Sequence, residues 1–82
     1  MNGFHYVYVL QSLSHPNQIY TGMTSDLKKR LAEHNAGRVP HPSKFTPWEI
    51  RTATGFRNKE RAVAFERYLK SGSGRAFLHR HL

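Results

Sequence analysis

With 82 residues, the chain holds one hydrophobic core at most, since a polymer this short buries only about 60% of the surface its unfolded form exposes, so residues 1–82 are read as a single domain. Its 38% hydrophobic and 12% aromatic content argues against disorder, the absence of cysteine excludes a disulfide scaffold or a Cys-based zinc site, and no apolar run approaches the roughly 20 residues that span a bilayer, so a cytoplasmic location is expected. Thirteen Lys and Arg against five Asp and Glu give +8 at pH 7, a field that attracts polyanions: nucleic acid first, with an anionic membrane surface or ribosomal RNA able to explain the same charge.

In chain order, residues 4 to 11 (FHYVYVLQ) are rich in Tyr and Val and read as a strand buried on at least one face. Ser12 to Gln18, with Pro16 and Asn17, reads as a turn, and residues 18 to 23 (QIYTGM) as the second strand of an antiparallel hairpin. That pairing sets Tyr8 and Tyr20 on neighbouring strands, with Gly22 allowing close backbone approach. A helix begins after Thr24 or Ser25, with Asp26 near its positive end. Leu27 and Leu31 form its buried stripe, Lys28, Lys29 and Glu33 stay wet, and Asn35 or Gly37 stops it. Residues 36 to 47, with three prolines, read as a loop. Trp48 to Thr54 is a third strand and Phe56 to Ser71 a longer helix. Gly72 and Gly74 then break the chain before a last short helix over Arg75 to Leu82.

The segment from Tyr20-Thr21-Gly22 to Arg30 and His34-Asn35, preceded by Tyr6-Val7-Tyr8 and followed by Phe65-Glu66, resembles the signature of the GIY-YIG nucleases. Each tripeptide alone is common; their order and the spacing to Arg30 make the likeness specific. The chain is most similar to the compact stand-alone, excision-nuclease-like members. The resemblance implies an α/β (α+β) fold, a three-stranded antiparallel sheet flanked by helices in the order β-β-α-β-α-α. It also implies a divalent-metal-dependent endonuclease that hydrolyses DNA phosphodiesters, in DNA repair or recombination. On the matching positions, it implies that Tyr8 and Tyr20 position or deprotonate the attacking water, Arg30 clamps the phosphate, His34 assists as proton acceptor or phosphate contact, and Glu66 binds Mg2+ or Mn2+. Met23 stands where some members carry lysine, and no asparagine follows Glu66.

These residue types suit the reaction. A planar guanidinium bridges two phosphate oxygens as lysine cannot, and magnesium prefers oxygen ligands while keeping most of its waters, so one carboxylate suffices. Of the five acids, Glu66 alone lies in the apolar-flanked stretch Val63 to Leu69. Each assignment has an ordinary counterpart: Tyr8 and Tyr20 as core or edge aromatics, Arg30 as part of a solvated helix face, Glu66 as the i to i+4 partner of Lys70, His34 as a helix-end cap. No appended DNA-binding domain is read, so cleavage is expected to be structure-selective or nonspecific, with exposed Lys and Arg meeting the backbone. A noncatalytic nucleic-acid-binding module of the same fold is the second reading, and an RNA-associated protein the third.

Overall fold

The middle of the molecule is a strand buried on both faces. In the computed structural model, which describes residues 3–38 and 43–82, β1 (His5–Ser12) lies between β2 (Ile19–Thr24) and β3 (Trp48–Phe56), and both pairings are antiparallel. Val7, Tyr8, Val9 and Leu10 are all buried. Because successive side chains on a strand point to opposite faces, Val7 and Val9 pack on Ala62, Leu69 and Leu78, whereas Tyr8 and Leu10 pack with Trp48, Tyr20, Leu27 and Leu31. The partial alternation of FHYVYVLQ is therefore that of a central strand with a different core on each side.

The first core is closed by α2 (Lys59–Lys70) and α3 (Gly72–His81), the second by α1 (Leu27–Asn35) and a 3-10 turn over Ser43–Phe45. This is the expected three-stranded antiparallel sheet with helices, in the order β-β-α-β-α-α. No helix among the described residues is long and apolar enough to cross a membrane.

The first two strands lie one residue later than expected, over His5–Ser12 and Ile19–Thr24; elsewhere a boundary differs where a polar side chain or a tight turn intervenes. Asp26 caps α1, its Oδ1 accepting from Lys29 N at 3.1 Å; Thr24 instead accepts from Asp26 N at 3.1 Å and orients that cap. Phe56 belongs to β3, and α2 starts only at Lys59 because Asn58 Oδ1 accepts from Arg61 N at 3.0 Å, a cap that holds its own residue out of the helix. The break between α2 and α3 is Ser71 alone, in extended backbone at φ −82° and ψ 169°. Its hydroxyl donates to Tyr68 O at 2.6 Å and accepts from Gly74 N at 3.1 Å, so Gly72 and Gly74 lie inside α3 rather than in a loop. A Cβ at Gly74 would collide with the Tyr68 carbonyl; glycine here is what lets α3 close onto α2. Finally, the loop expected over residues 36 to 47 contains the 3-10 turn at its end, while residues 39–42 lie outside the described residues.

Helix α1 ends at Asn35, and that residue also ties the helix to the sheet. Asn35 Oδ1 accepts from Trp48 N at 2.6 Å and its Nδ2 donates to Trp48 O at 3.1 Å, as a neighbouring strand would. The end of α1 is thus held against the start of β3.

Candidate active site

On the α1 face of β1, the strand register puts polar groups where a core would otherwise be hydrocarbon. Tyr8 is paired with Gly22 and Leu10 with Tyr20, so Tyr8, Gly22 and Tyr20 share one face. The two phenol rings are 6.3 Å apart between centroids. Gly22 makes this packing possible: a Cβ there would stand 2.5 Å from the Tyr8 hydroxyl and 3.1 Å from Cε2 of Tyr20, as the close approach read from the sequence requires. Helix α1 then lays His34 against both rings, at 5.9 Å from Tyr8 in an edge contact and 4.7 Å from Tyr20.

The Tyr8 hydroxyl is the hub. It lies 3.1 Å from Nε2 of His34 and accepts a hydrogen bond from Nε of Arg30 at 3.4 Å. Arginine only donates, so the phenol oxygen is the acceptor on that side, and its own hydrogen is directed to His34 when the imidazole carries its proton on Nδ1. Arg30 and His34 are four residues apart and share one face of α1, which is why one tyrosine meets both. Burial pushes the Tyr8 phenol above its ordinary value of 10.0, a shift that the Arg30 hydrogen bond opposes and the nearby Tyr20 and Glu66 charges reinforce. At neutral pH Tyr8 is therefore a hydrogen-bonding phenol, not a standing phenolate.

Exposure separates the members. Tyr8 and His34 are each 2% exposed, Tyr20 is half-buried, and the Arg30 side chain is 37% exposed. Arg30 is the outward end of the array, at the wall of a cleft of about 530 Å³ lined by Met23, Thr24, Ser25, Asp26, Lys29, Arg30 and Glu33. Its bonds to Tyr8 and Glu33 raise its pKa further, so the guanidinium is always charged. Glu33 Oε1 accepts from Nη1 at 3.0 Å. Those two bonds engage two of the five N–H donors of the guanidinium and fix its plane, with Nη2 on neither partner. Met23 lines the cleft, and Lys29 adds a second cation to it from α1.

Glu66 stands apart from this hydrogen-bonded trio. It is on α2, across the sheet from α1, with its side chain 21% exposed and its Oε2 2.7 Å from Nζ of Lys70. The ordinary i to i+4 pair is thus present. Glu66 nonetheless lies close enough to Tyr8 for its charge to disfavour the phenolate. Among the described residues no three His, Cys, Asp or Glu side chains converge as a metal cage, so a closed zinc-type site is excluded there. A single carboxylate paired with a half-exposed lysine fits a hydrated Mg2+ or Mn2+, which needs few protein ligands. The fold assembles Tyr8, Tyr20, Arg30 and His34, the residues that the sequence motifs point to. Glu33 joins them through Arg30 rather than staying a wet helix residue, a pairing that its i+3 spacing allows, and the Asn35 clamp on Trp48 has no local pattern that reveals it.

The GIY-YIG catalytic domain matches residues 4–78. The chain is similar to the UPF0213 protein HQ_3675A of Haloquadratum walsbyi, at 33% identity over 87% of this chain and 79% of that protein. It is also similar to the UPF0213 protein SpyM3_1077 of Streptococcus pyogenes serotype M3, at 38% identity over 87% and 76%. The solution NMR structure of the UPF0213 protein BH0048 from Bacillus halodurans superposes with a TM-score of 0.56 at 28% identity, covering 94% of this chain and 83% of that one. The chain, with its paired tyrosines on β1 and β2 and its arginine on α1, belongs to the GIY-YIG catalytic domain family, a nuclease superfamily.

Proposed function

We propose that this protein is a divalent-metal-dependent endonuclease that hydrolyses DNA phosphodiester bonds, structure-selectively or without sequence preference. The observation that carries this reading is the chain of contacts from Arg30 at the cleft wall, through the Tyr8 hydroxyl, to Nε2 of His34. It joins a phosphate-binding cation to a route for a proton, the two things that phosphodiester hydrolysis demands of a protein.

In this reading the outward N–H groups of Arg30 bind the non-bridging phosphate oxygens, and Lys29 adds charge in the same cleft. Tyr20, the half-exposed phenol, orients the attacking water. As the water oxygen bonds to phosphorus, its proton passes to the phenol pair, and Tyr8 releases its own proton to the neutral imidazole of His34. The raised Tyr8 pKa is consistent with a relay that never rests as phenolate. Glu66 would hold the metal, whose chemistry is to neutralise the charge that develops on the departing oxygen; Lys70 gives up its partner when that happens. We further place the action in the cytoplasm, on repair or recombination intermediates.

The test is a labelled panel of linear, flapped, branched and single-stranded DNA, incubated with magnesium, manganese or chelator, with wild type against Glu66→Ala. Nicks that need metal and appear only with wild type support the proposal. Cleavage that persists in purified Glu66→Ala sinks it. Binding by both proteins with no cleavage on any substrate moves the reading to a noncatalytic nucleic-acid-binding module, which the +8 charge also supports.

A further inference from the structure

Away from the cleft, the seam between α2 and α3 carries a line of aromatic rings that runs from the core to the surface. Phe56 meets Phe65 at 5.5 Å between centroids, Phe65 stacks on Tyr68 at 6.4 Å and 28°, Tyr68 meets Phe77 at 5.9 Å, and Phe77 meets His81 at 4.9 Å. Phe56, Phe65 and Phe77 are partly buried against the first core. Tyr68 is 41% exposed, and His81 is exposed. At about 100° per residue, Tyr68 is on the opposite side of α2 from Glu66, so this ring row belongs to neither the metal carboxylate nor the cleft.

Cations flank the rings. Arg61 lies two turns before Tyr68 on the same side of α2, and Arg80 lies one turn after Phe77 on α3; both are exposed. Helix α3 contains no acid; of the two acids in α2, Glu60 is exposed in the first turn, about 80° around the helix from Tyr68 and two turns away, and Glu66 is held by Lys70 on the other side. An aromatic surface edged with arginines suits one ligand chemistry above others: bases stack on it whatever their identity, because every base has a π face, while the cations follow the phosphates. Duplex DNA hides its base faces within the stack, so such a surface contacts it only through the backbone.

We propose that the α2–α3 seam around Tyr68 is a stacking platform for unpaired nucleotides of a DNA substrate. The proposal rests on the DNA-cleaving reading for its ligand and adds a second contact, one that gives a chain this small a way to prefer flaps, branches or single strands over plain duplex.

The test is fluorescence anisotropy with labelled single-stranded and duplex DNA in the presence of chelator, for wild type, Tyr68→Ala, Tyr68→Phe and the double variant Arg61→Ala with Arg80→Ala. Tyr68→Ala is expected to weaken single-strand binding about tenfold and leave duplex binding unchanged, while Tyr68→Phe binds like wild type. The arginine double variant should lower the slope of log affinity against log salt on single strands by about 1.4, at roughly 0.7 per phosphate contact. Equal single-strand affinity in Tyr68→Ala, or an equal loss on duplex, overturns the proposal. If Tyr68→Ala does not fold, the arginine variant decides, and an unchanged slope overturns it. Metal-dependent cleavage measured alongside keeps the two ideas apart. Cleavage without a Tyr68 effect leaves the nuclease reading standing alone, and a Tyr68 effect without cleavage leaves the platform standing alone.

Discussion

The two faces of β1 use the same strand for opposite ends. On the α2–α3 face, Val7 and Val9 meet Ala62, Leu69 and Leu78 in an all-hydrocarbon core. On the α1 face, one residue over in each case, Tyr8 faces Tyr20, His34 and Arg30, and Leu10, Trp48, Leu27 and Leu31 fill the remainder. Burying a histidine and a phenol together costs free energy unless they bond to each other; here they do. One face secures the fold, and the other holds polar groups in a fixed array while the first keeps the sheet rigid. Stability and chemistry should therefore respond to different substitutions.

Leu69→Ala, on the apolar face, should remove the most stability, about 2–5 kcal/mol, by chemical denaturation, while cleavage per folded molecule stays near wild type. A variant that keeps its stability, or that loses activity while still folded, breaks the division between the faces. Gly22→Ala reaches across it: the added Cβ meets the Tyr8 hydroxyl, so the phenol must move. A stability loss of about 1–3 kcal/mol is expected together with loss of activity, and a crystal structure of the variant should show Tyr8 displaced from His34.

The face with polar groups should also reveal itself in alkaline titration. Burial raises the pKa of the Tyr8 phenol above its ordinary value. Spectrophotometric titration should show one phenol ionising late, and Tyr8→Phe should remove that late step. The sign for stability follows: a phenol raised in the folded state stabilises the protein fully below the ordinary value of 10.0 and loses that contribution as pH rises through the folded value. Wild type should therefore lose stability relative to Tyr8→Phe as pH rises from 10.0 through that folded value; a late step that persists in Tyr8→Phe contradicts the buried hub. The smallest effect is expected at Lys70→Ala, less than about 0.5 kcal/mol in thermal melts, since an i to i+4 pair with a half-exposed lysine contributes little.

Much of this arrangement was legible from residue order alone. The hairpin follows from two β-rich runs with Pro16 and Asn17 between them, and the α1 stripe from Leu27 and Leu31. The array of Tyr8, Tyr20, Arg30 and His34 followed from resemblance, and from nothing local: tyrosine on a strand is most often an ordinary core aromatic. What could not be read was set by single side chains acting on backbone. Asn58 and Ser71 moved helix boundaries by capping. Asn35 clamps Trp48 through contacts 13 residues apart. Which side of α2 faces the sheet, and so why Glu66 makes no hydrogen bond with the trio, depends on how that helix is rotated about its axis, which composition and period leave open.

The most direct measurement is the single-turnover cleavage rate of a flapped DNA with magnesium, at saturating protein, for wild type and Arg30→Ala. Removing a preorganised donor from the phosphate should slow the step by about a hundredfold or more, with the melting temperature and the affinity measured in chelator little changed. An equal rate in the folded variant would contradict the assignment of this cleft as the cleavage site.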